Sequence, residues 1–141
     1  NAADYSSNAK AFDDRMEKAL AAWAEELAPY QGAEIVTFHK NFIYFAERFG
    51  LKLFGNVEPK PGIPPSPRHI AELAEAMRQA GVRVVLYQPY YDADASRELA
   101  GKAGGVAVEV PTEVGGTPEA KDVLSKFDVL VSSLVKALSS K

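Results

Sequence analysis

The sequence predicts an α/β fold: a four-stranded parallel sheet with helices on both faces, preceded by one long helix. Three observations carry this. Short β-branched or aromatic runs alternate four times with longer amphipathic stretches. The run Val82-Arg83-Val84-Val85-Leu86-Tyr87 is close to wholly apolar, as in strands buried on both faces. The connections are short, and short links in an alternating order favour right-handed crossovers between parallel strands.

The elements follow in order. From about Ala3 to Ala28, Phe12, Met16, Leu20, Trp23 and Leu27 make one apolar stripe at helical spacing, which Pro29 and Gly32 end. Glu34 to Phe38 reads as the first strand. Lys40 to Phe49 reads as a helix, with Phe42, Phe45, Ala46 and Phe49 on one face and Gly50 just past its end. Lys52 to Val57 is the second strand. Glu58 to Pro67 then holds five of the nine prolines, which makes a stiff loop rather than a regular element. Ser66 and Pro67 open the next helix as cap and first residue, and Gly81 closes it. The third strand is Val82 to Tyr87. Asp92 or Asp94 caps a helix to about Lys102, Val106 to Val110 is the fourth strand, and Thr117-Pro118 opens the last helix.

A chain of 141 residues is long enough for one domain with a real core. A net charge of -3 with dispersed basic residues gives no footprint for nucleic acid. No apolar run approaches the roughly 20 residues of a membrane-spanning helix. Asn1 opens into a polar, alanine-rich helical pattern rather than a leader. The absence of cysteine removes disulfides, thiolate metal ligands and thiol nucleophiles together, and fits an oxidising compartment as well as a reducing one.

In a parallel sheet the four loops at the carboxyl edge hold His39, Glu58, Gln88 to Asp92, and Glu113, two tyrosines among them. That edge is where open α/β sheets bind ligands. The set supplies nitrogen and oxygen donors of the kind a divalent cation takes. Asp92 reads more naturally as a helix cap, whereas Glu58 and Glu113 sit in loops stiffened by proline or glycine that hold a side chain in place. His69, in the first turn of its helix, reads as a solvated or capping residue. No nucleophile elbow, phosphate-binding loop or dinucleotide fingerprint occurs. Gly115-Gly116-Thr117, as a turn before a helix, offers at most a weak anion site.

The stretches T-F-H-K-N-F-I-Y-F-A-E-R-F-G-L, V-E-P-K-P-G-I-P-P-S-P, Q-P-Y-Y-D and V-P-T-E-V-G-G, in this order, resemble the zinc/manganese-type solute-binding proteins of bacterial ABC transporters. The likeness runs from Ala2 to Leu138 and matches the C-terminal lobe of that family with the long helix that joins its two lobes. It implies residues 1-31 as the linker helix and 32-141 as the α/β lobe. It also implies a metal held between two lobes, with two histidine ligands on an N-terminal lobe whose counterpart is not in this chain. Here the implied ligands are His39 and, in the loop after the last strand, Glu113, where the family more often has aspartate. Histidine rather than glutamate at the first position leans toward zinc over manganese. The implied role is capture of Zn2+ (or Mn2+) outside the cytoplasmic membrane, periplasmic or at the cell surface, and delivery to a membrane permease. The metal is then cargo, no cofactor is expected, and the chain is not an enzyme. Its bare apolar surface would also suit a homodimer. The competing reading is a small α/β enzyme with His39 and Glu113 as acid and base at the same rim.

Overall fold

The computed structural model describes residues 1–91 and 93–140. Among the described residues five α-helices and four strands alternate as expected, with one 3-10 turn (Ala28–Tyr30) after the first helix: α1 (Ala2–Leu27), β1 (Glu34–Thr37), α2 (Ile43–Phe49), β2 (Lys52–Asn56), α3 (Pro67–Ala80), β3 (Val84–Tyr87), α4 (Ala93–Ala103), β4 (Val106–Glu109) and α5 (Val123–Ser139). All strand pairs are parallel, in the order β2-β1-β3-β4.

The two-residue period of the strands sorts the core into two layers. Ile35, Val84 and Leu86 face one side, where Trp23 and Leu27 of α1, Phe42 and Phe49 around α2, and Leu130, Val131 and Leu134 of α5 cover them. Val36, Val85 and Tyr87 face the other, under Ile70, Ala74 and Met77 of α3 and Leu99 and Ala100 of α4. The α1 stripe is buried progressively toward its C-terminal end, with Met16 and Leu20 partly buried against the core. Trp23 and Leu27 are buried, whereas Phe12 remains 42% exposed and the first turns stand clear of the body. Trp23 fastens α1 to α5, its ring packed at a tilt against Phe127 (centroids 5.2 Å apart) and its indole N–H donated to Asp128 at 2.8 Å.

Local chemistry explains the boundaries. Ser66 accepts the His69 N–H as the α3 cap, and Gly81 takes the left-handed backbone (φ +74°) that ends it. Gly105 lies so close to β3 that a Cβ there would stand 2.0 Å from the Arg83 carbonyl oxygen. Two helices begin later than the sequence suggests. Residues 40–42 form a turn that drops Phe42 into the core, so α2 starts at Ile43. The chain from Thr117 to Lys121 stays irregular, and Asp122 caps α5 through a reciprocal pair with Ser125. The glycines at 115 and 116 therefore do not lead into a helix, which removes the anion-site reading. Asp92, read above as a cap or rim carboxylate, lies outside the described residues.

The strand order has a functional consequence. From β1 the chain steps to β2 on one side and then crosses to β3 on the other. The loops after β1 and β3 therefore flank the point where the winding reverses. Open α/β sheets form their ligand crevice at such a point.

Candidate metal centre at the sheet switch point

His39 leaves the end of β1 on a backbone that is held from three directions at residues 37–39. Thr37, fully buried, donates its hydroxyl to the His39 carbonyl at 2.7 Å and accepts from the Asn56 amide at 2.9 Å. The Phe38 N–H reaches the Leu86 carbonyl at 2.8 Å, which ties the turn to β3. On the other side the parallel ladder continues past β2, with Val57 N–H on Thr37 O and Glu58 N–H on Phe38 O at 3.0 and 3.1 Å.

That continuation brings Glu58 beside His39. Between Ile35 and Val36 the β1–β2 register slips by one residue, because β2 carries an extra residue there. The slip sets Asn56 opposite Thr37 and carries Glu58 level with the histidine. His39 Nδ1 contacts Glu58 Oε2 directly, with the two side chains 21% and 10% exposed. The other oxygen, Oε1, accepts the Gly62 N–H at 2.9 Å, so the proline-rich loop is wrapped onto the carboxylate. Apart from the imidazole nitrogen, the buried Oε2 has no hydrogen-bonding partner among the described residues.

Aromatic rings close the site from the β3 side. Tyr91 stacks on Phe38 at 4.6 Å and 1° and meets the edge of His39 at 4.3 Å. Burial, reinforced by its neighbours Tyr90 and Glu58, raises the Tyr91 phenol above its ordinary range, so it remains neutral and a potential donor. His39, Glu58, Tyr91 and the loop residues Pro59 and Pro61 line an open cavity of about 530 Å³. Gln88, fully buried behind the rim, donates to Asn41 at 3.3 Å, and its carbonyl oxygen has no partner among the described residues.

Glu113 lies elsewhere on the same edge. It is exposed, on a turn closed by the Gly116 N–H to the Glu113 carbonyl at 3.1 Å, and it lines a second cavity with Tyr90, Phe45 and Lys126. Asn41 lines both cavities. A hydrogen bond between Tyr90 and Thr112 at 2.6 Å couples the loops after β3 and β4. Among the described residues no three histidine or carboxylate groups converge into a ready-made metal cage. His69 is not a free surface residue: its ring Nε2 meets the Asn56 carbonyl at 3.0 Å, pinning α3 to the end of β2. The sequence names His39, Glu58 and the tyrosines as rim residues. The supporting Thr37–Asn56 and Gln88–Asn41 pairs were not visible in it, because they depend on the strand order and the register slip.

Comparison with known proteins places this architecture. The family model for ZnuA, the periplasmic component A of a zinc-uptake complex, matches residues 1–137. The high-affinity zinc uptake system protein ZnuA of Brucella abortus (strain 2308) is 28% identical over 92 residues, 65% of this chain and 28% of the relative. The zinc-binding lipoprotein AdcA of Streptococcus pneumoniae (strain R6) is 29% identical over 109 residues, 75% of this chain and 21% of the relative. A ZnuA crystal structure superposes with a TM-score of 0.78 at 21% identity, over 96% of this chain and 50% of the other. The Zn(II)-bound ZnuA-like domain of S. pneumoniae AdcA gives 0.73 at 19% identity, over 96% and 52%. This chain thus spans about half of each matched solved structure, and less than a third of the two curated relatives.

Proposed function

The chain belongs to the ZnuA family of periplasmic zinc-uptake components, and from that premise we propose that it is the metal-contacting C-terminal lobe, with linker helix, of an extracytoplasmic solute-binding protein for Zn2+. Residues 1-31 are the linker and 32-141 the lobe. Its partners are an N-terminal lobe that completes the site and an ABC permease that receives the ion. The carrying observation is the fixation of His39 at the winding reversal, with one ring nitrogen on Glu58 and the ring set against Tyr91 beside an open cavity. An immobilised imidazole loses little side-chain freedom when it binds a metal, which favours capture.

Ile43, Tyr44, Ile63, Tyr90 and Val114 are exposed apolar residues on this same edge, Tyr44 by 86%. Such a rim is what a second lobe would cover. A second copy of the chain is the other occupant that surface suits. In this reading Glu113, on the loop after β4 at the same sheet edge, is the further donor. One or two donors leave an ion largely hydrated, so the chain alone binds weakly. Imidazole favours Zn2+ over Mn2+. The relatives of this chain are named as zinc-uptake or zinc-binding proteins, which favours this reading over a small enzyme with His39 and Glu113 as acid and base. The test is a calorimetric zinc titration of this chain and of a longer form with both lobes, each with and without His39→Ala. Tight, His39-dependent binding in the longer form supports the proposal.

A further inference from the structure

We propose that Glu58 is a positioning residue for His39: it fixes the imidazole as the Nδ1–H tautomer and so leaves the Nε2 lone pair for the metal, rather than ligating the ion itself. The inference rests on the metal-binding reading of His39. Its geometry is internal to the chain.

Both carboxylate oxygens of Glu58 are already committed. Oε1 accepts the Gly62 N–H at 2.9 Å, and Oε2 touches His39 Nδ1. An ionised carboxylate has only acceptor positions, so a neutral imidazole in contact with it must place its proton on Nδ1. The ring cannot swing away freely, since Tyr91 meets its edge at 4.3 Å and Phe38 lies 5.1 Å from it. Nε2 is thereby left as the lone-pair nitrogen. Carboxylates that accept the distal N–H of a metal-binding histidine commonly raise its basicity and set its orientation. Here the loop itself supplies the device. The Gly62 contact folds the segment after β2 back over the carboxylate, and Gly62 holds the left-handed backbone (φ +79°) that the fold-back needs. Glu58, equally eligible as a ligand on sequence grounds, is thus assigned the supporting role.

Glu58→Gln separates this role from loop clamping. The Gly62 N–H requires an oxygen opposite it, so the substituted amide keeps its carbonyl there and turns its NH2 toward His39. Nδ1 must then accept, and the proton moves to Nε2. The loop contact survives while the tautomer reverses.

The chain has two histidines, which makes the readout simple. His69 Nε2 faces a carbonyl, which only accepts, so His69 serves as an internal reference for the Nε2–H form. Long-range 1H–15N ring correlations of the metal-free chain, recorded well above the ordinary histidine pKa of about 6.5, should give Nδ1–H for His39 and Nε2–H for His69. In Glu58→Gln, His39 should switch to Nε2–H with His69 and the Gly62 amide signal unchanged. Zinc chloride titrated into the same samples should bind Glu58→Gln about 10–100-fold more weakly than the unsubstituted chain. An Nε2–H His39 in the unsubstituted chain, or a Glu58→Gln variant with unaltered tautomer and zinc affinity, overturns the proposal. Zinc binding that His39→Ala leaves intact overturns the metal reading instead. Binding lost with His39→Ala but unmoved by Glu58→Gln refutes the role of Glu58 alone.

Discussion

The stripe along α1 makes one sharp prediction, because its two ends are chemically alike and structurally opposite. Trp23 is 2% exposed, packed on Phe127 and hydrogen-bonded to Asp128, whereas Phe12 on the same stripe is 42% exposed. Trp23→Ala removes a buried aromatic and leaves a cavity, a change that costs about 3–5 kcal/mol. For a domain of this length each kcal/mol moves the melting temperature by roughly 3–4 °C, so a fall of about 10–20 °C is expected. Trp23→Phe keeps a ring against Phe127 and loses the indole N–H. Asp128 is exposed and regains water, so the loss should be about 1 kcal/mol. Phe12→Ala should stay within about 0.5 kcal/mol. Thermal melts followed by circular dichroism measure all three, since the chain's single tryptophan is itself substituted. A Trp23→Ala melt within a few degrees of the unsubstituted chain would refute docking of α1 through this residue. A Phe12→Ala cost equal to that of Trp23→Ala would mean that the projecting turns are packed in solution against another copy.

Three further outcomes follow from particular contacts. Gly105→Ala places a Cβ against the Arg83 carbonyl, a backbone atom that cannot move without parting β3 from β4, so a cost of about 3 kcal/mol is expected in urea unfolding; a neutral result would mean the strands are not so closely joined. Thr37→Val leaves the His39 carbonyl and the Asn56 amide without their shared hydroxyl, at about 1–3 kcal/mol, and should weaken His39-dependent zinc binding as well. Asp122 carries its own pH signature: the Ser125 backbone and side-chain hydrogen bonds, aided by Arg15, hold its pKa below the ordinary 3.8. A depressed carboxylate stabilises the fold above its unfolded pKa and loses that contribution as pH falls through the folded value. The melting-temperature gap between the unsubstituted chain and Asp122→Ala should therefore be full at neutral pH and shrink below about pH 4; a gap that does not change with pH would contradict the cap.

Much of the fold was legible because its signals are local. Apolar spacing, proline and glycine punctuation and the Ser66 cap fix the order of helices and strands, and parallel pairing follows from alternation. Helix starts were less so. A helical pattern at Phe42 reflects core packing as much as helix, and Thr117-Pro118 looks like a start signal until Asp122 and Ser125 supply a better one. The site divided in the same way. His39 stood out because it lies at the carboxyl end of a strand, where open α/β sheets bind ligands, inside a run that resembles the metal-binding family. Its pairing with Glu58 needed two things that no short window contains: that β2 is the neighbour of β1, and that the register slips between Ile35 and Val36. The half-burial of His69 against Asn56 was hidden for the same reason. Glu113 remains a proposal of chemistry and position, on a turn open to solvent.

The most direct test of the metal-binding account is zinc calorimetry on a two-lobed form of the protein with and without His39→Ala. The account predicts tight binding that the substitution lowers by orders of magnitude, with only weak binding by the present chain. Zinc affinity that is equal with and without His39 would contradict it.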